Sequence, residues 1–164
     1  MLELNSPVLS SVRIEHLYVS AGHRYVGRHG KEPLDFAPEE VAEVECVAGK
    51  GIRGDRYFDH ARDYKGQVTF FSMEVFELMC AELGISDRPP SVLRRNILVR
   101  EMDLGSLIGS PFQLQGVAFQ GVEECRPCYW MDRAFAPGAD AFLRGRGGLR
   151  ARIAADGVLR TSRL

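Results

Sequence analysis

Apolar and polar residues alternate at four places along this chain, and each alternation predicts a β-strand with one face buried. The four are Val12-Arg-Ile-Glu-His16, Ala42-Glu-Val-Glu-Cys46, Phe112-Gln-Leu-Gln-Gly116 and Leu149 to Ile153, where Arg150 and Arg152 alternate with the apolar positions. Two denser runs, Gln67-Val-Thr-Phe-Phe71 and Leu93 to Val99, predict further strands, the first of them fully buried. Only one stretch has a clear helical period, with Val75, Phe76, Met79 and Leu83 on one side, Ser72 as N-cap and Gly84 as stop. A shorter apolar run after Pro127 predicts a helix that starts there and ends near Pro137-Gly138, and another spans Ala139 to Leu143. At Gly116 the apolar phase jumps to Val117 and Phe119, which predicts a bulge. Asp156-Gly157 predicts a closing hairpin that returns through Val158. Residues 1–11 read as a loose lead-in, and His23 to Pro38, rich in Gly, Arg and His, as a surface loop. Seven or so short strands against two or three helices define a mostly β protein, an antiparallel barrel decorated with helices.

Composition narrows the function more than the fold. A chain of 164 residues is long enough for a single domain with its own core. A net charge of −1 argues against a general nucleic-acid binder. No window approaches a membrane span, and no basic segment followed by an apolar one opens the chain, so a cytoplasmic location is expected. Four unevenly spaced cysteines do not form the framework of a secreted scaffold. Of 21 basic residues only Lys31, Lys50 and Lys65 are lysine. Genomic base composition accounts for such a bias in general; where arginines cluster, their planar two-pronged donors also suit phosphate.

Three clusters qualify. Gly49-Lys-Gly-Ile-Arg-Gly-Asp-Arg56 places three glycines among Lys50, Arg53 and Arg56, which fits either a plain turn or backbone amides facing an anion. It is neither a Walker loop nor a dinucleotide fingerprint. Arg94-Arg-Asn96 enters a strand as a solvated end or an anion clamp. Arg144 to Arg152 is the densest cluster, again interleaved with glycine. Between the second and third lies Cys125-Arg-Pro-Cys-Tyr-Trp-Met-Asp132, whose thiols are either small buried hydrophobes or a reactive pair. A helix beginning at Pro127 would place Cys128 at its positive end and favour the thiolate. Cys46 and Cys80 fall on apolar faces and read as core. Asp59, His60 and Asp63 invite a metal reading, but no second histidine stands at a ligand spacing.

In order along the chain, Gly-Ile-Arg-Gly-Asp-Arg-Tyr (51–57), Arg-Arg-Asn-Ile (94–97), Leu-x-x-Leu-x-Gly (104–109), Arg-Pro-Cys-Tyr (126–129) and Gly-Gly-Leu-Arg-Ala-Arg (147–152) resemble a stand-alone MOSC domain over roughly residues 12–160. The resemblance implies a closed or partly open β-barrel like the barrel domain of pyruvate kinase. It also implies a single functional cysteine, matched here by Cys128, which ligates molybdenum in members that hold molybdopterin or carries persulfide sulfur in a second family proposal. Arg95, Asn96, Arg146 and Arg150, with Arg53 and Arg56, are the implied holders of the pterin phosphate. Expected partners are a small N-oxygenated substrate and a separate redox protein, with no nucleic acid and no membrane. Two departures from the family pattern stand out: Arg160-Thr161-Ser162 replaces the Gly-Asp pair that closes many relatives, and no counterpart of the N-terminal β-barrel domain of the cofactor-holding reductases is expected within these 164 residues. Other readings are a Cys125–Cys128 dithiol and a non-catalytic module for a phosphorylated small molecule.

Overall fold

A computed structural model describes residues 6–22 and 37–162. All but the last two residues of the predicted 23–38 loop lie outside that range. Among the described residues the strands are β1 (Arg13–Val19), β2 (Glu39–Glu40), β3 (Glu43–Val47), β4 (Gly51–Ile52), β5 (Val68–Ser72), β6 (Ile97–Arg100), β7 (Pro111–Leu114), β8 (Val117–Glu124), β9 (Leu149–Ala155) and β10 (Gly157–Arg160). Three α-helices accompany them: α1 (Met73–Leu83), α2 (Trp130–Ala134) and α3 (Ala139–Leu143). The protein is therefore mostly β with short helices. No described helix is long and apolar enough to cross a membrane.

The strands form a large sheet in the order β2-β1-β6-β5-β9-β8-β7 and a small one, β10-β3-β4. Only β5 and β6 run parallel within the large sheet, because α1 carries the chain between them. The run Val68 to Phe71 is buried throughout because both faces of β5 are covered. Phe70 points to one face, where it meets Phe112 and Phe119 edge-on at 5.6 and 5.2 Å and joins Val44, Cys46, Ile52 and Leu159 from the small sheet. Phe71 points to the other, against Phe76, Met79, Phe135 and Leu143 from the helices. Helix α1 matches the expectation: the Ser72 hydroxyl accepts from the Val75 N–H at 3.2 Å, and Gly84 ends it in the left-handed region at φ 66°.

Four expectations need correction. Of the closed or partly open barrel expected, closure is absent: β2 and β7, at the two ends of the large sheet, do not pair, and the small sheet packs against the same core as a separate sheet. Gly116 marks no bulge. Gln115 and Gly116, at φ 52° and 81°, form the two-residue turn between β7 and β8, and the register shifts fall within β8 instead. Asp156-Gly157 closes no hairpin either, since β9 pairs with β5 and β8 while β10 pairs with β3. Asp156 accepts instead from the Ala48 N–H at 2.6 Å, so the turn becomes the corner where the chain changes sheets. Finally, the N-terminal lead-in is tied down at its end: Leu9 donates to the Gln113 carbonyl at 2.9 Å and Val8 bridges to Gln113, covering the β7 edge.

Cys46 is sealed in the core, and burial, with Glu45 beside it, pushes its thiol from the ordinary 9.0 up to about 12. The folded state keeps a proton there that the unfolded chain releases. Its contribution to stability is thus full below pH 9 and lost as pH rises toward 12. Relative to Cys46→Ala, the parent should lose up to about 1.4 kcal/mol per pH unit above pH 9 in urea unfolding. Parallel profiles for the two proteins would contradict this.

Candidate functional site

The segment that carries Cys128 is fixed at its root by backbone fit. β8 ends at Glu124, and the next residue, Cys125, donates its N–H to the Gly148 carbonyl at 2.8 Å. A Cβ on Gly147 would lie 2.0 Å from the Cys125 carbonyl oxygen, and one on Gly148 would lie 2.2 Å from that of Phe70. Both glycines are therefore required by the close approach of neighbouring backbone segments. Arg95 locks the same joint from the side, donating to the carbonyls of Gly147 at 3.1 Å, Leu93 at 2.9 Å and Cys125 at 3.4 Å. Gly147→Ala should cost about 3 kcal/mol or more, because only backbone movement can relieve the overlap. Chemical denaturation checks this; a loss below about 1 kcal/mol would show the joint to be loose.

Residues 125–128 then run without turn or bend. The Cys128 carbonyl accepts from the Met131 N–H at 2.9 Å, and α2 begins only at Trp130. The helix thus starts three residues later than Pro127, and Cys128 lies outside it. Trp130 and Met131 are buried and anchor the far end. Cys128 is exposed, whereas Cys46 and Cys125 are buried and Cys80 is half-buried. Cys125 and Cys128 are both free thiols, one buried and one exposed, which gives the dithiol reading no support.

Around Cys125 the charges converge. The Arg150 guanidinium is close enough to Cys125 for the two to interact electrostatically. Burial works to lower the Arg150 pKa, but Cys125, Tyr64 and Glu123 together hold it above the ordinary value. Glu123 pairs with Lys65 at 3.0 Å and with Arg150 at 3.4 Å, and the Lys65 contact pulls its carboxyl below the usual range. Tyr64 stacks on Tyr57 with centroids 5.3 Å apart and meets His60 edge-on at 4.7 Å. Its phenol is held up mainly by burial, then by Tyr57. His60 therefore belongs to an aromatic cluster, and no group of three or more His, Cys, Asp or Glu suited to a metal occurs among the described residues.

The other predicted residues divide. Asn96 is buried with all its hydrogen-bonding capacity used: its carbonyl accepts from the Thr69 N–H and hydroxyl, both at 3.1 Å, and its amide donates to the Tyr18 carbonyl at 3.2 Å and to Asp55 at 3.3 Å. Asp55 also accepts from the Ser20 N–H at 3.0 Å and from Arg56 at 3.3 Å, and Arg56 reaches the Arg94 carbonyl at 3.4 Å. These groups form one hub beneath the Arg95 joint. Arg53 lies apart on the surface, paired with Glu45 at 2.9 Å. Arg146 is exposed, lies 4.4 Å from the Phe142 ring centre, and lines a cavity to which neither Cys125 nor Arg150 contributes. The structure thus brings Cys125, Arg95 and Arg150 together, with Cys128 three residues beyond, and leaves Arg53 and Arg146 outside. Tyr64 and Thr69 complete the surroundings together with Tyr57, the last residue of the 51–57 motif; no sequence signal marks Tyr64 or Thr69 for a place at the site.

The chain belongs to the MOSC domain family, whose model matches residues 48–161. The fold is similar to that of the YuaD protein from Bacillus subtilis, with 21% identity, a TM-score of 0.70, and coverage of 92% of this chain and 91% of that one. It is also similar to YiiM from Geobacillus stearothermophilus, with 13% identity, a TM-score of 0.66, and coverage of 91% and 71%. YiiM from Escherichia coli gives 15% identity and a TM-score of 0.59, and here 92% of this chain spans 65% of the longer one. A search among curated proteins found no match.

Proposed function

We propose that this protein holds the molybdenum cofactor through Cys128 and reduces N-oxygenated small molecules, with electrons from a separate redox protein. The observation that carries the reading is the exposure of Cys128, the one exposed thiol of four, on a segment held at both ends. The donor set fits this group better than a bare metal: no described cluster supplies three protein ligands, whereas the dithiolene of molybdopterin brings two sulfurs of its own and asks the protein for one soft thiolate. When bound, the cofactor supplies a redox-active metal for the two-electron, two-proton conversion of an N–OH group to N–H and water. The chain's own residues bind and position. Cys128 would be the ligand, and Arg150 and Arg56 would offer positive charge to the pterin phosphate. Arg95 and Asn96, with most of their donors spent on backbone carbonyls and Asp55, would set where those groups stand. Molybdenum analysis of purified protein, with fluorescent pterin measured after acid oxidation, tests this. Roughly equal amounts of metal and pterin support the reading; absence of both from protein made in molybdate-supplied cells would sink it.

The same exposed thiol serves a persulfide carrier. In that case cyanide would release thiocyanate from the parent and none from Cys128→Ala.

A further inference from the structure

On the other side of the β8–β9 strand ends lies a cavity of about 250 Å³ that the Cys128 reading does not use. Strand alternation separates the two places: Glu123 faces Arg150 and Lys65, and the next residue, Glu124, turns into this cavity. Val75, Met102, Leu104 and Ile108 give it apolar walls, and neither Cys125 nor Cys128 lines it. Glu124 and Arg146, of opposite charge, are among its lining residues. No ion pair joins them, or joins either to any other described residue. The Arg146 guanidinium lies 4.4 Å from the Phe142 ring centre. A third charged group, Asp103, is turned to its own loop and accepts from the Ser106 N–H at 3.4 Å. The wall is braced by the pairing of Gly109 with the Gly121 carbonyl at 3.0 Å and of Gly121 with that of Ser110 at 2.9 Å.

Two opposite charges that share a cavity without meeting, above a greasy floor, match a ligand that carries both charges and an apolar body. We propose that this cavity binds a small aliphatic zwitterion of the α-amino-acid class, its carboxylate on Arg146, its ammonium on Glu124 and its side chain among Val75, Met102, Leu104 and Ile108. The site is independent of the cofactor. The volume suits a ligand of about ten heavy atoms and is smaller than the several hundred Å³ of typical cofactor clefts.

Titration of the full chain with L-leucine, followed by amide chemical shifts, tests this. Shifts should centre on residues 72–75, 102–108, 124 and 145–148. Isoamylamine and 4-methylpentanoate, each lacking one charge, should bind at least about 10-fold more weakly, as loss of a charge-assisted hydrogen bond predicts. Glu124→Gln should erase the advantage of leucine over the acid, Arg146→Gln its advantage over the amine, and Ile108→Trp should block all three. Cys128→Ser should leave leucine binding unchanged, so failure of the cofactor reading and failure of this one are distinguishable. No shifts at these residues, equal affinity for the three compounds, or dependence on Cys128 would overturn the proposal.

Discussion

Replacing Cys128 by serine should lower the bound molybdenum about 100-fold, with the cofactor-dependent activity falling alongside, while stability stays within about 0.5 kcal/mol of the parent. The two halves of this expectation come from the same fact. Cys128 is exposed, so its sulfur contributes little packing, and its loss leaves no cavity. The same change at Cys125 should behave in the opposite way. That sulfur is buried beside Arg150, and its backbone joins Gly148, so Cys125→Ser should act on stability and only indirectly on metal. Metal analysis and urea unfolding of the two variants separate a ligand from a support. Equal metal loss in both, or unfolding of Cys128→Ser, would contradict the assignment.

The second large effect is expected at Asn96. Asn96→Leu should cost about 3–5 kcal/mol, read as the shift in a urea transition. Its size follows from what the side chain satisfies. The Thr69 N–H, the Thr69 hydroxyl and the Tyr18 carbonyl each lose a partner in a region closed to water, and Asp55 loses one of its donors. Leucine has the right bulk and none of the polarity, so unsatisfied groups rather than a void carry the penalty. Because Asp55 also holds Arg56 and Tyr57, the damage should reach the site, and metal content should fall together with stability. A cost under about 1 kcal/mol would mean that the hub is open to solvent.

Much of this was legible in the sequence where the cause is local. The cap and stop of α1 depend on Ser72 and Gly84 themselves, and the burial of Cys46 follows from its place in an alternating strand. Expectation and structure part where the same residue type serves two geometries. A positive-φ glycine suits a bulge and a two-residue turn equally, so the phase jump at Gly116 does not distinguish them without its strand partners. Asp-Gly marks a reversal of direction, but which strands then pair depends on distant chain, and β10 joins β3 rather than β9. The candidate site divides in the same way. The cysteine and arginine clusters stand out as types, yet the sequence does not show that Arg95 spends its donors on three carbonyls, or that Arg146 lines a cavity to which Arg150 does not contribute. Tyr57 and Tyr64, seven residues apart in a loop, meet only through tertiary contact.

The central claim is that the Cys128 sulfur is a ligand to molybdenum. X-ray absorption at the molybdenum edge, on protein loaded with the cofactor, tests it most directly by counting sulfur neighbours. At saturating cofactor, which offsets the weaker hold of Cys128→Ser, the parent's shell should lose one sulfur in that variant and keep its full count in Cys125→Ser. An unchanged sulfur shell in Cys128→Ser would contradict it.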